Sequence, residues 1–107
     1  MTDLLQRRVG RILLVILATA IPTIASAGDP ANGERIARRW CAPCHVVAAN
    51  QKVPTSEAPP FATVARRPGF DPAQLALFLL HPHPKMPDMS LTRDEAADIA
   101  AYIDTLK

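Results

Sequence analysis

The chain has no apolar stretch long enough to cross a bilayer, no excess of either charge, no run with the alternation of a β-strand, and only two cysteines among its 107 residues. Each shortage removes a class of protein. The uncharged run over residues 12–24 falls well short of the roughly 20 apolar residues that a spanning helix needs, and Pro22 interrupts it near its end. Twelve Lys and Arg stand against ten Asp and Glu, whereas a nucleic-acid-binding domain of this size carries a clear basic surplus. Without period-two alternation there is no sheet, and without strands there is no βαβ unit. An all-α chain remains.

The first residues read as an export signal. Arg7, Arg8 and Arg11 precede the apolar run, and Ala25, Ser26 and Ala27 offer the small residues that a signal peptidase requires. The order basic, apolar, cleavable predicts a cleaved signal peptide over residues 1–27, taken by general secretion, and a mature domain over residues 28–107. That domain is small. Domains near this size bury only about 60% of their unfolded surface and commonly complete their core with a disulfide, a metal or a cofactor. Losing Arg7, Arg8, Arg11 and Asp3 with the signal leaves nine basic and nine acidic side chains. Their placement is uneven: Arg38, Arg39, Arg66, Arg67 and Lys85 accompany the motifs described below, whereas Asp94, Glu95, Asp98 and Asp104 fall within residues 93–107.

The two cysteines are spaced as Cys41-Ala42-Pro43-Cys44-His45. In an oxidising compartment a disulfide is the first reading of two cysteines. However, a Cys-x-x-Cys followed at once by His is the attachment signature of a c-type haem. The reason is geometric. Two thiols three residues apart on one turn reach the two vinyl groups of a protoporphyrin and form thioethers, which holds His45 beneath the iron. Neutral imidazole ligates iron well, and its second nitrogen normally donates to a backbone carbonyl; Pro54, Pro59 and Pro60 supply candidates. The competing readings are weaker. A thioredoxin-like redox pair belongs at a helix start after a strand, and structural zinc wants four ligands, so it would have to draw on His81 or His83.

A sixth ligand has four candidates, His81, His83, Met86 and Met89, all in the segment His81-Pro82-His83-Pro84-Lys85-Met86-Pro87-Asp88-Met89. Three prolines in nine residues make it an extended, stiff loop able to press one side chain onto the iron. With the attachment motif and this loop, the mature chain resembles the small bacterial class I cytochromes c, monohaem proteins, over essentially its whole length. That family places its ligand Met just before a Pro or apolar residue, about five positions ahead of the apolar residue that opens the last helix. Met86 precedes Pro87 and stands five before Leu91. The resemblance therefore implies one covalent haem c on Cys41 and Cys44, with His45 and Met86 as axial ligands. Met89 comes next as ligand, or fills a gap against the haem, and His81 or His83 come last.

The helices follow from caps and spacing. Asp29 and Pro30 open a first helix toward Trp40, with Gly33, Ala37 and Cys41 on one face. Phe61 to Arg66 forms a short helix between Pro60 and Pro68-Gly69, and Asp71 to Leu80 another, capped by Asp71 with Gln74 closing the box. Thr92 and Glu95 form a capping box for the last helix, in which Ala96, Ile99, Ile103 and Leu106 recur at helical spacing and Asp94, Glu95 and Asp98 complement its half-dipole. Residues 46–59 are loop. The resemblance implies that the first and last helices cross closely at Gly33, with Tyr102 packing on the first. Phe61, Phe70, Leu75, Phe78 and Leu79 are the candidate haem-packing residues, and Arg66 and Arg67 the candidate partners of its propionates.

With both axial positions filled, the expected role is one-electron transfer in the periplasm between a protein donor and acceptor, by a monomer without catalytic residues and without stable membrane insertion once the signal is cut. The basic residues beside both ligand segments imply acidic docking surfaces on those partners. The alternatives are an electron-transfer subunit of a periplasmic dehydrogenase complex, and a haem-based sensor or enzyme with a labile sixth ligand.

Overall fold

The computed structural model describes residues 27–51, 58–81 and 84–107. The expected signal peptide lies outside them except for Ala27, as do Pro54, Pro82 and His83. Helix α1 (Pro30–Ile36) starts as its sequence requires: the Asp29 carboxylate accepts from Ala31 N and Asn32 N, and Pro30 occupies the first turn, where its missing N–H costs nothing. Beyond Ile36 the helix widens into a π turn, Ala37–Cys41, with Ala42 N donating to Ala37 O at 3.0 Å. The spacing alone predicts ordinary helix here. An α-helix advances about 100° per residue, so positions four apart drift around its axis. The wider turn lags behind that drift and keeps Cys41 on the buried face with Gly33 and Ala37.

The short helices α2 (Phe61–Ala65) and α3 (Pro72–Leu79) lie where the prolines allow, and α4 (Arg93–Asp104) closes the chain. In α3 the Asp71 carboxylate caps Ala73 N at 2.8 Å, and Gln74 borders the cleft described below instead of completing a box. In α4 the box is complete: Thr92 N donates to Glu95 Oε2 at 2.8 Å and Glu95 N to Thr92 Oγ1 at 3.2 Å. Its buried face is Ala96, Ile99, Ala100, Tyr102 and Ile103, the set that three-and-four spacing selects. No strand occurs among the described residues, so the all-α expectation and the packing of the terminal helices hold.

Helix α1 packs mainly on α4, and the approach is backbone on backbone. A Cβ built on Gly33 would overlap the Asp98 carbonyl and lie 2.9 Å from Ile99 N. Asp98 completes the joint, accepting from Asp29 N and from Asn32 Nδ2, each at 2.6 Å. Its expected service to the half-dipole of its own helix is thus corrected. It lies half-buried against α1, whose first amide groups have no partner inside their own helix. Farther along, the buried Tyr102 hydroxyl donates to Val47 O at 2.6 Å and ties the loop after α1 to α4. Burial, and then the Glu34 carboxylate, push that phenol above its usual range, against the opposing pull of Arg38.

The core so formed is thin. Among the described residues its large buried side chains are Val47, Phe61, Ile99, Tyr102 and Ile103, and the other buried apolar positions are Cys41 and the small Ala37, Ala65, Ala96 and Ala100. Gly33→Ala should lower stability by about 2 kcal/mol, because overpacking against backbone outweighs the roughly 1 kcal/mol of helix propensity that Ala gains. Thermal unfolding of the two proteins compares them, and an unchanged or raised melting temperature would show that the crossing tolerates a methyl group.

Candidate functional site

The π turn delivers Cys41 to the interior at 9% exposure, and the chain then folds back on it. Cys44 N and His45 N both donate to Cys41 O, at 3.1 and 2.9 Å, which swings Cys44 toward solvent and His45 across the end of α1. The two thiols are not joined in a disulfide. His45 Nδ1 lies 2.6 Å from Pro59 O. A carbonyl can only accept, so Nδ1 carries a proton, and in the neutral tautomer with that proton the lone pair lies on Nε2. Pro60 O is taken by the first turn of α2, accepting from Thr63 N and Val64 N, so of the two candidates among the described residues Pro59 is the one that orients the ring. The Phe61 ring stands 5.2 Å from the imidazole at a tilt of 50°, and Phe61 N donates to Val46 O at 2.9 Å.

His45 opens into a cleft of about 890 Å³, within the range of a cofactor site. Cys41, Cys44, Met86 and Met89 line the same cleft, so the structure brings together the attachment motif and both methionine candidates. His81 is elsewhere, its Nδ1 at 2.7 Å from Leu77 O at the end of α3. All five expected packing residues, Phe61, Phe70, Leu75, Phe78 and Leu79, form its walls. Of the arginine pair only Arg67 borders it, Arg66 being exposed outside, because α2 ends one residue sooner than expected and the chain turns there.

Sequence reasoning missed Trp40, which reads there only as the end of a helix, and assigned Ile99 and Ile103 to helix packing alone. All three line the cleft. The methionine segment is stiffened by more than proline. Lys85, just before Met86, takes φ 73°, Ser90 takes φ 50°, and the Asp88 carboxylate accepts from Ser90 N at 2.8 Å.

The donor set suits a haem attached through thioethers. Two thiols on one turn and an oriented imidazole face an apolar cleft whose rim includes aromatic rings left half in water, Trp40 at 53% and Phe78 at 52% exposure. A flat apolar ring would cover such a wall. Among the described residues no three His, Cys, Asp or Glu side chains gather as a metal site.

Burial, and secondarily Cys44 beside it, push the Cys41 thiol from 9.0 up to about 11. Folding thus favours protonated Cys41. In the chain prepared without haem, that contribution to stability should be complete below pH 9 and disappear as pH rises to about 11. Urea midpoints against pH, compared with Cys41→Ala, measure it, and parallel curves would refute it. Iodoacetamide should alkylate exposed Cys44 well before Cys41.

With that geometry in place, the chain can be set beside known proteins. The family described as cytochrome C oxidase, cbb3-type, subunit III, matches residues 28–103. Cytochrome c-552 of Bradyrhizobium diazoefficiens is 52% identical over 96 residues, covering 90% of this chain and 92% of that protein. No solved structure matches. The chain belongs to this cytochrome c family, as a monohaem, electron-carrying c-type cytochrome with redox proteins for partners.

Proposed function

We propose that the protein is a monomeric periplasmic carrier of single electrons, released from a signal peptide spanning residues 1–27, whose haem is bonded to Cys41 and Cys44 and ligated by His45 and Met86. The observation that carries the reading is the His45 ring, held at Nδ1 by Pro59 O in the cleft that Met86 also lines. Haem c bound there supplies a reversible one-electron couple, with its potential set by ligand identity and burial. The chain's own residues do the rest. Phe61, Phe70, Leu75 and Leu79 exclude water, the Pro59 carbonyl makes the imidazole a better donor, and the left-handed turn at Lys85 presents Met86. With both axial positions filled by protein, none is open to a substrate, which favours transfer over catalysis.

Charge at the cleft mouth supports an acidic partner. Arg67 and Lys85 border the opening, and the Arg39 guanidinium lies 4.9 Å from the centre of the Trp40 ring, itself part of the rim. Arg38 contributes less, because its guanidinium is paired with Glu34 at 2.7 Å. The unpaired part of this rim would steer an acidic surface toward the edge of the cofactor.

Two measurements test the reading. The weak near-infrared band of Met-ligated ferric haem should be present in the parent, absent in Met86→Ala and retained in Met89→Ala. Its loss in Met89→Ala instead would reassign the ligand, and rapid carbon monoxide binding by the ferrous parent would favour a sensor or enzyme. Electron transfer to an acidic redox protein should slow several-fold between about 0.01 and 0.15 M salt as the screening length shrinks from about 30 to 8 Å. A rate independent of salt removes the basic rim from docking.

A further inference from the structure

Residues 42–51, which follow the π turn, form turns and bends but no helix or strand, yet they carry His45. Residues 42–47 therefore depend on single hydrogen bonds to hold the backbone. One side chain makes three of them. Gln51, returned toward the motif by a turn in which its N–H donates to Ala48 O at 3.1 Å, accepts from Val47 N through Oε1 at 2.8 Å. Its Nε2 donates to Ala42 O at 3.0 Å and to His45 O at 2.8 Å.

We infer that Gln51 is the positioning residue of His45, fixing the backbone from which the imidazole hangs while Pro59 O fixes the ring. The three partners bracket the histidine: a carbonyl three residues before it, its own carbonyl, and an amide two residues after it. Together they use both hydrogens and the oxygen of one primary amide. Glutamate would present acceptors to two carbonyls, lysine has no acceptor, leucine has neither, and asparagine is one methylene shorter. The bonds are half-buried, so a partner lost here leaves polar groups that water reaches only in part.

A ring held at one end only can pivot. With Gln51 in place, the Cα of His45 and the Nδ1 of its ring are both tied, so the strength of the bond to Pro59 O, and with it the basicity of Nε2, is set by the fold. Releasing the backbone should lengthen the Nδ1 bond, make the imidazole a weaker donor and favour the ferrous state.

The inference rests on His45 being an axial ligand, as proposed above, and one set of spectra separates the two. In the ferric holoprotein, the strongly shifted ring protons of an axial imidazole should be visible in the proton magnetic resonance spectrum of the parent. If they are absent from the parent, the ligand assignment fails. If they are present, Gln51→Leu should displace them and move the midpoint potential upward. Tyr102→Phe, which removes the neighbouring bond to Val47 O without touching His45, should lower the melting temperature and leave both signals where they were. Should Gln51→Leu not accumulate with haem, Gln51→Asn should show the same displacements at smaller size. Parent-like ring shifts and potential in whichever of these holoproteins is obtained, with only a lower melting temperature, would make Gln51 a structural residue and overturn the inference.

Discussion

The fold depends on two backbones touching where α1 crosses α4. Because Gly33 has no Cβ, its helix can rest directly on the peptide of Asp98 and Ile99. That contact sets the distance between the helices, and the distance sets what can follow. Asp98 is near enough to take the amide of Asp29, the residue that caps α1, and the Asn32 side chain, so the joint is locked in rotation as well as in approach. From there the chain runs outward along α1 to Cys41, and along α4 to Ile99 and Ile103, which face the same cleft. A looser crossing would move the attachment cysteines relative to the wall they must face.

Close helices leave little between them, and this explains the cleft. Small residues dominate the crossing, and apart from the buried Phe61 the large apolar residues of α2, α3 and the turn between them are only partly covered: Val64, Phe70, Leu75 and Leu79 pack on the core from its margin. Full burial of a side chain of that size contributes about 1.5–3 kcal/mol, so a wall of them left half-wet withholds much of the stabilisation that a domain this small requires. A covalent apolar ring restores it. Attached through the two cysteines as proposed above, the group that carries the electron would also complete the core.

What was legible in the sequence was local. The caps at Asp29, Asp71 and Thr92, the Pro boundaries of α2, and the Cys-x-x-Cys-His motif each act within four residues, where spacing and geometry are nearly the same thing. The five packing residues were legible for a related reason: apolar positions on two short helices and the turn between them have one place to go. What escaped was set by tertiary contact. The π turn exists because Cys41 must stay in phase with Gly33 and Ala37 against α4, and nothing in Ala37-Arg38-Arg39-Trp40 announces it. Asp98 looks like a helix-dipole residue until α1 is placed beside it. Gln51 lies six residues past His45 in a stretch without periodicity, and its three partners are all backbone, which leaves no matching side chain to find.

The two side chains proposed as axial ligands are held by different physics, and the difference has a direction. His45 is anchored by hydrogen bonds, its ring by Pro59 and its backbone by Cys41 and Gln51, with the tilted Phe61 ring packed beside the imidazole. Met86 is presented by torsions: a left-handed Lys85, prolines on both sides, and an Asp88 turn followed by a left-handed Ser90. A hydrogen-bonded anchor fails only when several contacts break together, whereas a loop held in unfavourable torsions relaxes as soon as its end is released. The attachment half of the site is therefore the rigid reference, and a bond from Met86 to the iron would act on a loop that already holds left-handed torsions at Lys85 and Ser90. Changes in temperature or denaturant should act first on the Met86 side, with the thioethers and His45 retained.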